Sequence, residues 1–259
     1  MNKEKQVLAL KYRPQNFEDL IGQEVVAETI SKAIKQNKVS NAYLFTGIRG
    51  VGKTTIARIL AKSLNCTAGM ENQCKLKCEN CDAITNSNHI DVLEIDAASK
   101  TGIDDVRELI EFSRYGPTSS KYKIFIIDEV HMLSKQAFNG LLKTLEEPPP
   151  RLKFILATTE VRKIPVTILS RCQRFDLKRV DLEKLITHLK NIASKENGKI
   201  SDNALRLISG ASEGSVRDAI SLLDRALITQ NTNDKTEIQD SDVRKMLGLA
   251  DKSQIIILF

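Results

Sequence analysis

No apolar run in these 259 residues approaches the roughly 18 that a membrane-spanning helix needs. A transmembrane reading is excluded. The amino-terminal stretch is basic, but its apolar run Val7–Leu10 stops at Lys11, which leaves no hydrophobic region for a secretory signal. The expected location is the cytoplasm. Blocks of like charge are missing as well: 39 Lys and Arg against 33 Asp and Glu leave a formal +6 that is spread along the chain. That balance favours a polyanionic partner, yet any nucleic-acid contact must come from a local patch. There is no internal repeat and no low-complexity stretch. Five cysteines without an export signal argue against disulfides. The length, with 41% hydrophobic and 28% charged residues, fits one α/β domain plus a smaller appendage.

Strand-like apolar runs recur between helical patterns at Tyr43–Phe45, Val92–Ile95, Ile124–Ile127, Phe154–Ala157 and, more weakly, Arg174–Leu177. This alternation predicts a parallel sheet of five strands covered by helices. Between the third and fourth runs, Phe138, Leu141, Leu142 and Leu145 recur at helical spacing until Pro148-Pro149-Pro150 ends the pattern. Beyond residue 178 the strand signals vanish. Three apolar stripes follow, at Leu182 to Ile192, Ala204 to Ile208 and Val216 to Leu227, and predict a small helical domain over 179–243. A further helix is expected to start near Asp240. The apolar tail Ile255–Phe259 reads either as a sticky terminus or as a chain cut inside another helical domain, and the second is expected, with 244–259 as its start.

Directly after the first strand, Gly47-Ile48-Arg49-Gly50-Val51-Gly52-Lys53-Thr54 fits GxxxxGK[ST] and, with Thr55, leads into a helical pattern. Glycines let the backbone curl so that successive N–H groups and the helix N-terminus face anionic oxygens. Lys53 is placed to reach the β- and γ-phosphates of ATP, and the Thr54 hydroxyl to ligate Mg²⁺. The third strand ends in Asp128-Glu129, at the carboxyl edge where α/β sheets bind ligands. Asp128 is expected to hold the Mg²⁺, directly or through water, and Glu129 to polarise the attacking water.

Cys66, Cys74, Cys78 and Cys81 fall within sixteen residues of a polar insertion at about 65–90. Four thiolates so placed can surround Zn²⁺ tetrahedrally and give such a segment a core. Free thiols, or a ligand set completed elsewhere with His89 as the spare, are the alternatives. Cys172 stands alone and reads as a buried structural residue.

With the P-loop and the DEVH string at Asp128–His131, the chain resembles an AAA+ ATPase. Tyr12-Arg13-Pro14, Phe17, Ile21-Gly22-Gln23, Glu94–Ser99, LLKTLEEPP from Leu141 to Pro149, Ala157-Thr158-Thr159 and Ser170-Arg171-Cys172 narrow the likeness. Together they resemble the gamma/tau family of bacterial DNA polymerase III, the ATPases of the sliding-clamp loader, over residues 7 to 250. The resemblance implies a RecA-like ATPase domain over 1–178, a lid over 179–243 and a truncated collar after it. It places Thr159 at the sensor 1 position, Arg171 at the arginine finger acting on a neighbouring subunit's nucleotide, and Arg217 at sensor 2. Residues Lys11 to Pro14, with Tyr12 and Arg13, come close to the adenine by the same resemblance. The family carries a four-cysteine zinc module at this point, although Cys74 and Cys78 stand one residue further apart than its usual pattern. The implied partners are other clamp-loader subunits in a hetero-pentamer with delta and delta-prime types, the sliding clamp, primed duplex DNA and the polymerase core. Lys100 and Thr101, ahead of the helical pattern at Ile103, are the candidate DNA-backbone contacts, with Thr101 as the helix cap.

Two other classes compete. A DExH-type translocase or helicase would need a second RecA-like domain, and only helical patterns follow the first. A non-hydrolysing scaffold would be expected to lack Lys53 or Glu129, and both are present. No polymerase centre is visible.

Overall fold

The computed structural model of the chain describes residues 7–68, 78–99, 102–232 and 237–249. Five strands, β1 (Ala42–Thr46), β2 (Val92–Asp96), β3 (Lys123–Asp128), β4 (Leu152–Thr158) and β5 (Gln173–Asp176), pair in parallel in the order β2-β3-β4-β1-β5. The expected five-stranded parallel sheet is therefore present. Before and between the strands the chain forms α1 (Leu8–Lys11), α2 (Glu24–Lys35), α3 (Lys53–Asn65), α4 (Glu79–Thr85), α5 (Ile103–Ser113), α6 (Lys135–Glu146) and α7 (Val166–Leu169). The helical remainder comprises α8 (Leu182–Lys195), α9 (Asp202–Ala211), α10 (Val216–Thr232) and α11 (Asp240–Leu247).

The chain divides into two compact units. One comprises Pro14–Ile48 and Gly52–Leu177 and contains the sheet. Its central strands β1, β3 and β4 are buried almost throughout, as parallel strands covered on both faces must be. On one face Leu44, Phe125, Ile127, Phe154 and Leu156 pack with Val106 and Leu109 of α5 and with Phe138, Leu141 and Leu145 of α6. The rings of Phe125 and Phe154 lie 5.6 Å apart. Each such side chain contributes about 1.5–3 kcal/mol by leaving water. α6 starts where the Ser134 hydroxyl accepts the Ala137 N–H at 3.2 Å and stops short of the three prolines. α3 packs on β1, β3 and β4, so the helix that begins at the P-loop is anchored to the middle of the sheet.

The other unit comprises the helices from Lys178 onward, together with Arg49–Val51 and the amino-terminal residues through Arg13. Leu185, Leu189, Leu205, Ile208 and Leu223 form its apolar centre. The expected ATPase domain over 1–178 includes the amino-terminal segment. Instead, Leu8 is buried in the helical unit, its N–H donates to Asp224 Oδ2 at 3.2 Å, and Lys11 Nζ meets Glu196 at 2.6 Å. The Tyr12 hydroxyl donates to the same Glu196 carboxylate. These long-range polar contacts leave no periodic trace in a sequence. The expected boundary at residue 243 falls inside α11, whose buried Val243 belongs to the same unit. The apolar tail from residue 250 lies outside the described residues.

A buried carboxylate fixes the loop before β3. Asp91, with no exposed surface, accepts the N–H groups of Thr118, Ser119 and Ser120 at 2.7–2.9 Å and the hydroxyls of Ser119 and Ser120 at 3.0 Å. Burial alone would raise its pKa, but the donors from Thr118, Ser119 and Ser120 outweigh it and hold the carboxyl below its ordinary 3.8. Asp91→Ala is expected to lower stability in urea unfolding by about 2–4 kcal/mol, since it strands several donors. The folded-state pKa being depressed, Asp91's contribution should be complete above about pH 4 and fade only as the pH falls further. Equal unfolding midpoints for wild type and variant at pH 7 would contradict this.

Candidate functional site

Gly47, Gly50 and Gly52 all adopt positive φ, of 142°, 80° and 105°. Side-chain-bearing residues seldom occupy that region. Gly52 is the N-cap of α3 and brings no capping side chain, so the first-turn N–H groups of the helix are left for an anion. Lys53 is 5% exposed, and its ammonium donates to the carbonyls of Gly47 and Ile48 at 3.0 Å each. Thr54 and Thr55 are half-buried beside it.

β4 separates β1 from β3 in the sheet, with Thr46 opposite Thr158 and Ile127 opposite Leu156. This order brings three distant segments together. The Thr54 hydroxyl donates to Asp128 Oδ2 at 2.5 Å. Glu129 follows in the left-handed region at φ 47°, ψ 44°, and its N–H donates to Asp128 Oδ1 at 3.0 Å. Both the N–H and the hydroxyl of Thr159 donate to Glu129 Oε2, at 3.1 and 3.0 Å. The sequence-derived residues Thr54, Asp128, Glu129 and Thr159 thus form one connected cluster. A donor hydroxyl, two carboxylates and an unblocked helix N-terminus are suited to a metal-bound polyphosphate and the activation of a water.

Two family profiles match the chain: residues 22–181 fit "DNA polymerase III, delta subunit", and residues 184–231 fit "DNA polymerase III clamp loader subunit, ATPase lid domain". DNA polymerase III subunit gamma of Buchnera aphidicola subsp. Baizongia pistaciae is 49% identical over 253 residues, which cover 97% of this chain and 67% of that protein. The chain belongs to the gamma/tau family of DNA polymerase III clamp-loader subunits. Subunit tau of Escherichia coli is 46% identical over 253 residues and that of Bacillus subtilis 49% over 223, covering 98% and 86% of this chain. The chain spans only 39% of each of these longer tau proteins. Among solved structures, the RuvB Holliday junction branch migration motor of Thermotoga maritima superposes with a TM-score of 0.68 at 23% identity, over 92% of this chain and 72% of RuvB. That likeness establishes the fold. As a gamma/tau family member the chain is an AAA+ ATPase, a class that takes a nucleoside triphosphate as substrate.

The other expected site residues make contacts of their own. Arg171, half-buried after α7, donates to the Thr167 carbonyl at 2.6 Å and to Glu146 at 2.5 Å. Within the helical unit, the N–H of Arg217 donates to the Gly50 carbonyl at 3.2 Å, while its side chain is exposed. Arg49, Gly50 and Val51 group with that unit, as do Tyr12 and Arg13, whereas Pro14 groups with the sheet. The hydroxyl of Tyr12 is pushed up to about 12, by burial first and then by Glu196.

Cys66 ends α3 and Cys78 begins α4, and the sulfurs of Cys66, Cys78 and Cys81 all lie within 4.8 Å of one another. Cys74 lies outside the described residues. A Zn–S bond of 2.3 Å sets tetrahedral S···S edges of about 3.8 Å, so three of the four expected ligands are near zinc-binding geometry. Burial pushes the Cys78 thiol up, but donors from Thr67 and Cys81 outweigh it and bring the group to about 6. Cys81 moves upward, through burial and the adjacent Cys78 and Cys66. The spare ligand His89 does not join the three sulfurs: it is buried, with Nδ1 accepting the Asp91 N–H at 3.0 Å. Cys172 is half-buried against the sheet core rather than fully enclosed, and burial raises its pKa to about 11. Lys100 and Thr101 lie outside the described residues. α5 itself begins after Gly102, which brings no capping side chain.

His131 of the DEVH string and Glu146 of LLKTLEEPP carry no expected role of their own in the sequence, yet both touch expected site residues, Glu129 and Arg171. The motifs contained the signal, but only the fold assigns them partners. At Gly50 a Cβ would come within 2.0 Å of Ser215 Oγ and 3.3 Å of Arg217 Cβ. Gly50→Ala should therefore cost about 1–3 kcal/mol in denaturant unfolding, from backbone strain and displacement of Ser215. An unchanged midpoint would show that the loop relaxes freely.

Proposed function

We propose that this chain is the ATPase motor of a DNA polymerase III clamp loader, in which ATP binding arranges the subunits to open a sliding clamp on primed duplex DNA and hydrolysis releases both. The observation that carries the proposal is the Thr54–Asp128–Glu129–Thr159 cluster at the edge of an AAA+ sheet, in a chain of gamma/tau family sequence. Lys53 and the N–H groups of Gly47 to Thr55, with Ile48, Arg49, Gly50, Val51 and Gly52 between, bind the triphosphate. Thr54 and Asp128 hold the Mg²⁺, which neutralises phosphate charge when bound. Glu129 takes a proton from the attacking water, and Thr159 orients its carboxylate. Arg217 serves as sensor 2, and Tyr12, Arg13 and Pro14 approach the base. Arg171 serves the nucleotide of the next subunit, so hydrolysis is completed by assembly.

The partners in this reading are delta- and delta-prime-type subunits, further ATPase copies, the clamp, DNA and the polymerase core. Among the described residues no helix is long and apolar enough to cross a membrane. For the DNA contact at Lys100 and Thr101, Asp104 and Asp105 in the first turn of α5 oppose an anion at that helix end. A translocase reading rests on the fold alone.

Lys53→Ala is expected to abolish binding of a fluorescent ATP analogue. Glu129→Gln should retain binding while phosphate release drops by about 10²–10⁴. A Glu129→Gln protein hydrolysing at the wild-type rate would remove the general-base role. The cysteine module is proposed to hold structural Zn²⁺ through Cys66, Cys74, Cys78 and Cys81. Metal analysis of freshly reduced protein should then find about one zinc per chain, and Cys78→Ser should lose it with little change in ATP affinity. Metal-free protein with an unaltered melting temperature would dismiss the site.

A further inference from the structure

His131 has a 6% exposed side chain and lies in the short 3-10 turn Val130–Met132 that follows the strained backbone of Glu129. Its ring faces three groups on two strand ends. Nδ1 is 2.9 Å from Thr158 Oγ1 and 3.3 Å from Glu129 Oε2, and Nε2 is 3.4 Å from Glu160 Oε1. Thr158 Oγ1 also accepts the Glu160 N–H at 3.0 Å, and Glu160 is paired with Lys163 at 2.9 Å.

Among the described residues, the polar partners of the Glu129 carboxylate all face one oxygen. Oε2 takes both donors of Thr159 and faces His131, whereas Oε1 accepts no hydrogen bond among the described residues. A carboxylate held by one oxygen has its rotation about the terminal bond fixed, so the other oxygen keeps a defined direction. Thr159 alone could pivot with its loop. The buried imidazole stands between Glu129, after β3, and Thr158, at the end of β4, with Nδ1 facing both.

We propose that His131 is a positioning residue for ATP hydrolysis: wedged between Glu129, Thr158 and Glu160, it locks the Glu129 carboxylate so that Oε1 faces the attacking water. This rests on Glu129 being the general base. The ring touches neither the phosphate loop nor Thr54 in the contacts described. Its effect should therefore appear in turnover and not in nucleotide affinity.

The experiment compares His131→Ala, His131→Gln and Thr158→Val in the full-length protein assembled in its clamp loader, with Glu129→Gln as the control. His131→Ala should lower kcat by about tenfold, the scale on which a slightly misplaced reactive group acts. KM and the Kd for a fluorescent ATP analogue should stay within about twofold of wild type, a margin below 0.5 kcal/mol. Gln, which can still offer a donor or an acceptor near the same place, should restore most of the loss. Thr158→Val removes the ring's other anchor and should reproduce the kcat defect even if His131→Ala fails to fold. A His131→Ala protein with unchanged kcat would overturn the proposal, as would equal losses in kcat, nucleotide affinity and melting temperature that Gln does not repair. If Glu129→Gln itself turned over normally, the general-base reading would fall, whereas a dead Glu129→Gln beside a fully active His131→Ala would refute the His131 role alone.

Discussion

Because all five strands run parallel, the carboxyl ends of β1, β4 and β3 open side by side on one edge of the sheet. Neighbouring strands lie about 4.8 Å apart, so three segments distant in sequence come within side-chain reach. Thr54 meets Asp128, and Thr159 meets Glu129, across that edge. Each segment alone is an ordinary turn. The strand order turns them into a site, and burial of β1, β3 and β4 on both faces keeps their ends from shifting.

The legible part of the structure was the part written in local patterns. Apolar runs marked all five strands, and the GxxxxGK[ST] loop and Asp128-Glu129 sit at strand ends as the motifs require. What stayed hidden depends on contacts between residues far apart in the chain. Nothing around Asp91 announces that Thr118 to Ser120 will wrap it, and nothing around Tyr12 that its hydroxyl will meet Glu196. The pairing of Arg171 with Glu146 joins two motifs that had been read separately.

Glu129 combines two unfavourable choices. A non-glycine residue in the left-handed region costs of order 1–3 kcal/mol, and its carboxylate sits directly after that of Asp128. Both are offset locally: Asp128 Oδ1 accepts the Glu129 N–H, and Thr159 supplies two donors to Glu129 Oε2. Charge on the neighbouring loop is balanced in a similar way, by Lys163 beside Glu160. The acidic corner is therefore held by hydrogen bonds to its own loops.

α3 begins at Gly52 and ends at Cys66, with thirteen helical residues between them. At 1.5 Å per residue the two ends stand about 20 Å apart. Cys81 and Lys53 are both buried, so salt screens charge between the two ends far less than it would at the surface, and distance alone weakens it. Events at the sulfur end can also reach the glycine end mechanically, as a tilt or slide of a rod packed on β1, β3 and β4. The helix is thus a lever between two chemistries: it holds them apart in space while joining them in position.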